Sequence, residues 1–289
     1  MRAAQARGHG IYVCEVTDLA WRTRVTARSL RISLTDNDED WYRAHESLER
    51  PLAGFAAVLM RKDPPFDLEY VVSTWLLSTA VREGARIFNA PDAIRDHNEK
   101  LAIAEFPQFA APTLVAREPE RLQAFIDEQG EVVLKRLDVM GGENIFRLRA
   151  HDPNRNVIVE IMSQGGARTV MAQRYIPQIA EGDKRVLLID GELVPHCLAR
   201  IPKPGESRAN LAAGGRGVAQ PVTPRHREIA VALGPLLASR GLLLVGLDVI
   251  GEWLTEINVT SPTCFREIQD QAGFDVAGSF VQALERKLR

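Results

Sequence analysis

Gly246-Leu247-Asp248-Val249-Ile250-Gly251-Glu252-Trp253-Leu254-Thr255-Glu256-Ile257-Asn258-Val259 is the stretch that decides the fold. Two apolar runs flank a glycine-bearing break, the pattern of a β-hairpin. Glu256 and Asn258 are two apart and so share one strand face. With a three-residue loop, Gly251-Glu252-Trp253, Ile250 pairs with Leu254 and Asp248 faces Glu256. Leu247 then faces Ile257 and Val245 faces Val259, giving an apolar face. Asp248, Glu256 and Asn258 fall on the other face, with Gly246 opposite Asn258. A two-residue loop would turn Asp248 to the apolar side, so segregation of polarity favours the odd loop. Three oxygen-bearing side chains on one face suit a hard cation such as Mg²⁺, which also keeps water and phosphate ligands. A solvated antiparallel face is the alternative reading of the same pattern.

Upstream, Leu134-Lys135-Arg136-Leu137-Asp138-Val139-Met140-Gly141-Gly142 places a lysine near a strand end and a glycine pair after it. An ammonium and backbone N–H groups arranged so can surround phosphate oxygens. Neither GxxxxGK[ST] nor a GxGxxG following a strand occurs. Arg185, Arg200 and Arg208 surround a second hairpin and a long loop, and guanidinium groups suit carboxylates and phosphates. The six histidines are scattered without metal spacing, and Cys264 reads as a small core or site-wall residue.

Composition narrows the class. Of 289 residues, 36 are Lys or Arg and 38 Asp or Glu, a net charge of −2 that argues against a nucleic-acid binder. Three widely spaced cysteines, with no CxxC pair, make neither a disulfide framework nor a zinc site and fit the cytoplasm. The N-terminal residues form no apolar signal core. The most apolar stretch, 229–251, is interrupted by Arg240 and Asp248, so no membrane span is expected.

The first third alternates strand (11–16, 25–34, 56–60, 85–88) with helix, Asp67 capping one that runs to Arg82, which predicts a parallel sheet flanked by helices. The acidic run 36–40 reads as a solvated loop. Residues 98–105 and 118–129 read as helices, and 131–137 with 144–149 as a hairpin. Asp190-Gly191 marks the turn of another hairpin, 185–189 with 192–198. Residues 202–217 form a long Gly/Pro/Ser/Asn-rich loop of the functional kind. A helix capped by Thr223, the strands 242–250 and 254–259, and a helix over 274–288 complete the chain.

Strand lysine, glycine-rich hairpin, Asp, then Glu-x-Asn, in that order, resemble the ATP-grasp fold. The specific resemblance is to the bacterial glutathione synthetase family and covers nearly the whole chain. It is carried by Met60-Arg61-Lys62-Asp63-Pro64-Pro65-Phe66-Asp67, Asn98-Glu99-Lys100-Leu101 and Gly182-Asp183-Lys184-Arg185-Val186. It continues through Cys197-Leu198-Ala199-Arg200-Ile201-Pro202, Asn210-Leu211-Ala212-Ala213-Gly214-Gly215-Arg216-Gly217 and Leu254-Thr255-Glu256-Ile257-Asn258-Val259-Thr260-Ser261-Pro262-Thr263.

The resemblance implies an α/β chain with an α+β lid. A parallel-sheet pre-ATP-grasp domain (1–97), apparently without its first strand, precedes a lid subdomain (98–173) and a catalytic subdomain (174–289). It implies ATP- and Mg²⁺-dependent ligation of γ-glutamylcysteine to glycine through an acyl phosphate, with Mn²⁺ as an alternative ion. Lys100, Lys135, Gly141, Gly142, Gln173, Tyr175 and Ile176 would bind ATP, and Asp248, Glu256 and Asn258 the metal. Arg185 and Arg200 would be catalytic. Arg61, Asp63, Arg208, Asn210, Gly214, Gly215, Ser261 and Thr263 would hold substrate, with residues 201–217 closing over the acyl phosphate. It also implies a cytoplasmic homo-oligomer, dimer or tetramer, with no nucleic-acid or membrane partner.

Two departures stand out. The family's Lys-Pro-Leu-Asp-Gly is here Lys135-Arg136-Leu137-Asp138-Val139; Val139 in a positive-φ glycine position would carry about 1 kcal/mol or more of strain. The chain also opens inside a helix, whereas the family carries roughly 20–30 further residues ahead of it, a strand, a loop and the helix start. Competing readings are another ATP-grasp ligase, such as a peptide or D-alanine ligase, and a non-catalytic nucleotide-binding remnant.

Overall fold

The computed structural model describes residues 1–140, 144–203, 209, 211 and 214–289. The chain opens with α1 (Arg2–Ala6), β1 (Ile11–Val13), β2 (Leu19–Trp21), β3 (Val25–Leu34) and β4 (Tyr42–Pro51). β3 carries the other three strands, all antiparallel to it. Next come β5 (Val58–Leu59), α2 (Leu68–Arg82), β6 (Ile87–Phe88) and α3 (Pro91–Asp96). Here Asp67 caps α2, its Oδ1 accepting from Tyr70 N at 2.9 Å. The parallel sheet expected of this third is confined to β5 and β6, paired Val58↔Ile87. The reason is connection length: α2 supplies the long crossover that parallel strands need, whereas β2, β3 and β4 are joined by short links that allow only antiparallel return. The expected strand 11–16 stops at Val13 and continues as a 3₁₀ turn over Val16–Asp18.

The middle of the chain begins with a 3₁₀ turn, Leu101–Glu105, in place of the expected α-helix. The expected cap, Asn98, lies two residues ahead of the actual N-cap, Lys100; Asn98 Oδ1 accepts from Lys100 N at 3.2 Å and Leu101 N at 3.0 Å. β7 (Thr113–Ala116), α4 (Pro119–Gln129), β8 (Glu131–Arg136), β9 (Ile145–Arg149), α5 (Arg155–Ser163) and β10 (Val170–Arg174) follow. Their strands form one antiparallel sheet, ordered β7-β10-β8-β9. Leu122 and Ile126 of α4 and Val159 of α5 pack on Val132, Leu134 and Leu148 of that sheet.

The last part comprises β11 (Asp183–Ile189), β12 (Glu192–Ile201), β13 (Arg216–Pro221), α6 (Pro224–Ser239), β14 (Leu244–Ile250), β15 (Trp253–Asn258), α7 (Phe265–Ala272) and α8 (Val276–Leu288). The sheet order is β13-β12-β11-β14-β15. Asp190 (φ +52°) and Gly191 (φ +81°) join β11 to β12, both in the positive-φ region that a two-residue hairpin turn requires. One core runs from Met171 of β10 through Val186, Leu247 and Ile257 to Ile229 of α6, so the two sheets are fixed against each other.

In the β14–β15 hairpin, Gly246 pairs with Asn258, Leu247 with Ile257 and Asp248 with Glu256, the expected partners. The turn, however, has two residues, not three: Ile250 pairs with Trp253. The register shifts between Asp248 and Val249, leaving Thr255 as the extra residue of a β-bulge. The Thr255 hydroxyl donates to Asp248 O at 3.1 Å. A tight turn and a polar Asp248–Glu256 face thus coexist because the bulge restores the alternation.

Candidate active site

A cavity of about 130 Å³ opens between the two sheets. Gln173, Tyr175 and Ile176, from the end of β10 and the segment after it, line one part. Lys100 and Lys135 line another, opposite Asp248, Glu256 and Asn258 of the β14–β15 hairpin. Lys135, the penultimate residue of β8, is buried, and that burial lowers its pKa. Its Nζ lies 3.8 Å from Glu256 Oε1, and Lys100 Nζ lies 4.0 Å from the same atom. Lys100 Nζ also donates to Val139 O at 2.6 Å. Val139 is not among the positive-φ residues, so the strain expected there is absent.

The buried floor is a charge cluster. Arg185 Nε and Nη2 donate to the two Asp248 carboxylate oxygens at 2.5 and 3.1 Å. Arg200 Nη2 reaches Asp248 Oδ2 at 2.8 Å and Asp183 Oδ2 at 2.6 Å. Burial pushes Asp248 up, but the two guanidinium charges and their hydrogen bonds outweigh it and hold this carboxyl well below its usual range. Asp183 has one such partner; burial, with Asp248 and Glu256 nearby, pushes it up to about 7 against the pull of Arg200. Asp183 Oδ1 and Arg200 Nε are both buried, and neither has a hydrogen-bond partner among the described residues. Gly246 leaves room for this packing: a Cβ there would stand 2.8 Å from Arg185 Cδ and 3.0 Å from Pro262 Cβ.

A second cavity, about 120 Å³, adjoins the first and shares Arg185 and Asn258 with it. Arg200, Ser261, Thr263, Cys264 and Glu99 complete much of its wall. Cys264 is the wall residue expected, and burial raises its thiol pKa. Arg61 Nη2 donates to Pro262 O at 2.6 Å, and Ser261 Oγ bonds Asp63, so both expected substrate residues of the first third sit at this turn. Gly214 and Gly215 line neither cavity. Gly141, Gly142, Arg208 and Asn210, with much of the expected closing loop, lie outside the described residues. Sequence reasoning missed Asp183 and Glu99 as site residues. The signal for Asp183 was its spacing of two from Arg185, which puts both on one face of β11.

The donor set fits a hard cation. Asp248 and Glu256 face each other across the hairpin with Asn258 beside them, two carboxylates and an amide suited to Mg²⁺ completed by water and phosphate oxygens. Two buried ammonium groups beside this face fit the phosphates themselves.

Comparison with known proteins agrees. Residues 1–95 match the family described as "Prokaryotic glutathione synthetase, N-terminal domain", and 99–273 match "Prokaryotic glutathione synthetase, ATP-grasp domain". The glutathione synthetase of Ralstonia nicotianae is 58% identical over 99% of this chain and 89% of its own length. That of Nitrosomonas europaea is 54% identical over 100% and 91%. Among solved structures, D-cycloserine synthetase DcsG aligns with a TM-score of 0.65 at 17% identity, covering 83% of this chain and 86% of its own. The ATP-grasp ligase PsnB aligns at 0.64 and 19%, covering 99% and 93%; at these identities both show a shared fold alone. With two family matches that together span 1–95 and 99–273 and relatives above half identity, this chain belongs to the prokaryotic glutathione synthetase family and has the ATP-grasp fold.

Proposed function

We propose that the two adjoining cavities divide one reaction between them: ATP in the first, γ-glutamylcysteine and glycine in the second. The activity is ATP- and Mg²⁺-dependent synthesis of glutathione, with ADP and phosphate as the other products. A carboxylate is a poor electrophile. Its oxygen attacks the γ-phosphorus of ATP, ADP departs, and the resulting acyl phosphate accepts glycine's amine. Phosphate then leaves carrying that oxygen, and the amine proton passes to solvent. The observation that carries this reading is that Arg185 and Asn258 line both cavities, so phosphate and peptide carboxylate meet at shared groups.

The residue roles follow from charge and place. Lys100 and Lys135 hold phosphates, while Gln173, Tyr175 and Ile176 flank the adenine; Gly141 and Gly142 are assigned to the phosphates on the family likeness alone. Asp248, Glu256 and Asn258 hold the metal, Mg²⁺ or Mn²⁺, which when bound supplies Lewis-acid stabilisation of phosphate oxygens. Arg185 and Arg200 offer fixed positive charge to the oxyanion of the tetrahedral intermediate. Arg61, Asp63, Ser261 and Thr263 hold the peptide at the turn they share, while Arg208, Asn210, Gly214 and Gly215 are assigned to it on the family likeness alone. We also assign three units, 1–97, 98–173 and 174–289, a division supported by their separate sheets. No helix of the described residues is long and apolar enough to cross a membrane. The unpaired cysteines support a cytoplasmic setting, and the balanced charge supports a protein without a nucleic-acid partner. We assign a homo-oligomer, dimer or tetramer, on the family likeness alone.

The test is isotopic. With γ-glutamylcysteine labelled with ¹⁸O in its cysteinyl carboxylate, one label should appear in the released phosphate. Glutathione formed with unlabelled phosphate would contradict the acyl-phosphate route.

A further inference from the structure

Glu99 has no role in the reading above, yet its bonds converge on the point where the two cavities join. Its Oε1 accepts from Val259 N at 2.9 Å, Thr260 N at 3.0 Å and Thr260 Oγ1 at 2.8 Å. Its backbone carbonyl accepts from Ile257 N at 2.8 Å, between the two ligand-bearing residues Glu256 and Asn258. The adjoining residue, Lys100, reaches Glu256 and Val139. One dipeptide therefore grips the metal-face strand, the phosphate-side loop and the turn that leads to Ser261 and Thr263.

That turn has left the sheet, so the N–H groups of Val259 and Thr260 need partners from elsewhere. Thr260 is 3% exposed, so water does not stand in for a lost partner. A single ionised oxygen satisfying three donors makes bonds about twice as strong as neutral ones. From the other side, Asn89 Nδ2 donates to Val259 O at 2.8 Å. The backbone at 259–260 is thus clamped by one acceptor and one donor.

We propose that Glu99 is a positioning residue that sets the peptide-binding turn, 259–263, in register with the phosphate site. This inference rests on the glutathione synthetase reading and deepens it. Glu99 acts through Thr260 and Val259. Removing its carboxylate frees the turn to shift and moves Ser261 and Thr263 relative to Arg185, while Lys100 and Lys135 keep their places around the nucleotide.

The test is steady-state kinetics of wild type, Glu99→Ala, Glu99→Gln and Thr260→Val, with melting temperatures read alongside. Glu99→Ala should raise KM for γ-glutamylcysteine about tenfold or more, the effect of losing charged hydrogen bonds, while KM for ATP stays within about twofold. Glu99→Gln keeps an acceptor oxygen and should recover part of the loss. Thr260→Val removes one of the three bonds without touching the carboxylate and should raise the same KM by a smaller factor. Peptide KM unchanged in Glu99→Ala, or equal rises in both KM values in all three variants, overturns the proposal. A wild type that makes no glutathione in the parallel assay refutes the underlying function instead.

Discussion

Replacing Asp248 with Asn should destabilise the ligand-free protein more than any surface change. The perturbation is nearly isosteric but removes the negative charge between two buried guanidinium groups. Asp248 receives Arg185 at 2.5 and 3.1 Å and Arg200 at 2.8 Å. An Asn amide can accept on one side only, and its NH₂ group would face a guanidinium donor on the other. Breaking a buried pair by removing one partner costs about 3–5 kcal/mol. Arg200 keeps its 2.6 Å bond to Asp183, which places the expectation at the lower end, about 3 kcal/mol. For a chain of 289 residues, with an unfolding entropy of about 2.1 cal/mol/K per residue, that corresponds to a melting temperature lower by roughly 5 °C. Differential scanning calorimetry without ATP or Mg²⁺ reads this separately from catalysis. A fall of less than about 1 °C would refute the claim that this carboxylate neutralises the buried arginines.

Three further outcomes follow. Gly246→Ala places a Cβ 2.8 Å from Arg185 Cδ, so it should lower stability by about 1–3 kcal/mol and reduce turnover; unchanged melting would mean the guanidinium is not packed there. Glu256→Gln leaves Lys100 and Lys135 without the carboxylate at 4.0 and 3.8 Å and removes charge from the metal face. Activity should fall by orders of magnitude, and wild-type activity at limiting Mg²⁺ would exclude the metal role. Burial pushes His226 down to about 4, and its Nδ1 accepts from Thr223 N at 3.2 Å at the start of α6. A histidine with a lowered folded pKa contributes stability that is present above its unfolded value near 6.5 and lost as pH falls toward 4, on the order of 3 kcal/mol. Urea unfolding of His226→Gln, which can keep the capping box, should lose this acid sensitivity; an unchanged pH dependence would place its origin elsewhere.

The site's chemistry was more legible in the sequence than the first third's topology. The Asp248–Glu256 pairing could be derived because a register slip would have reversed polar and apolar faces. The turn length could not, because a bulge at Thr255 adds one residue without changing either face. β4 was missed since Tyr42 to Glu49 are all exposed and carry no alternation to read. β13 was absorbed into the loop before it because Arg216 and Gly217 look like loop residues. The parallel rhythm was over-extended because strand and helix alternation does not report pairing direction; only the crossover through α2 does. Asp183 and Glu99 escaped because their significance lies in partners 65 and 160 positions away, Asp248 and Val259, which only the folded chain brings together.

The most direct test is a coupled assay of ADP release from the purified chain with Mg²⁺-ATP and paired substrates. Turnover should require γ-glutamylcysteine and glycine together, with glutathione formed in equal amount to ADP. Equal turnover with D-alanine, or ATP binding without turnover, would contradict the account.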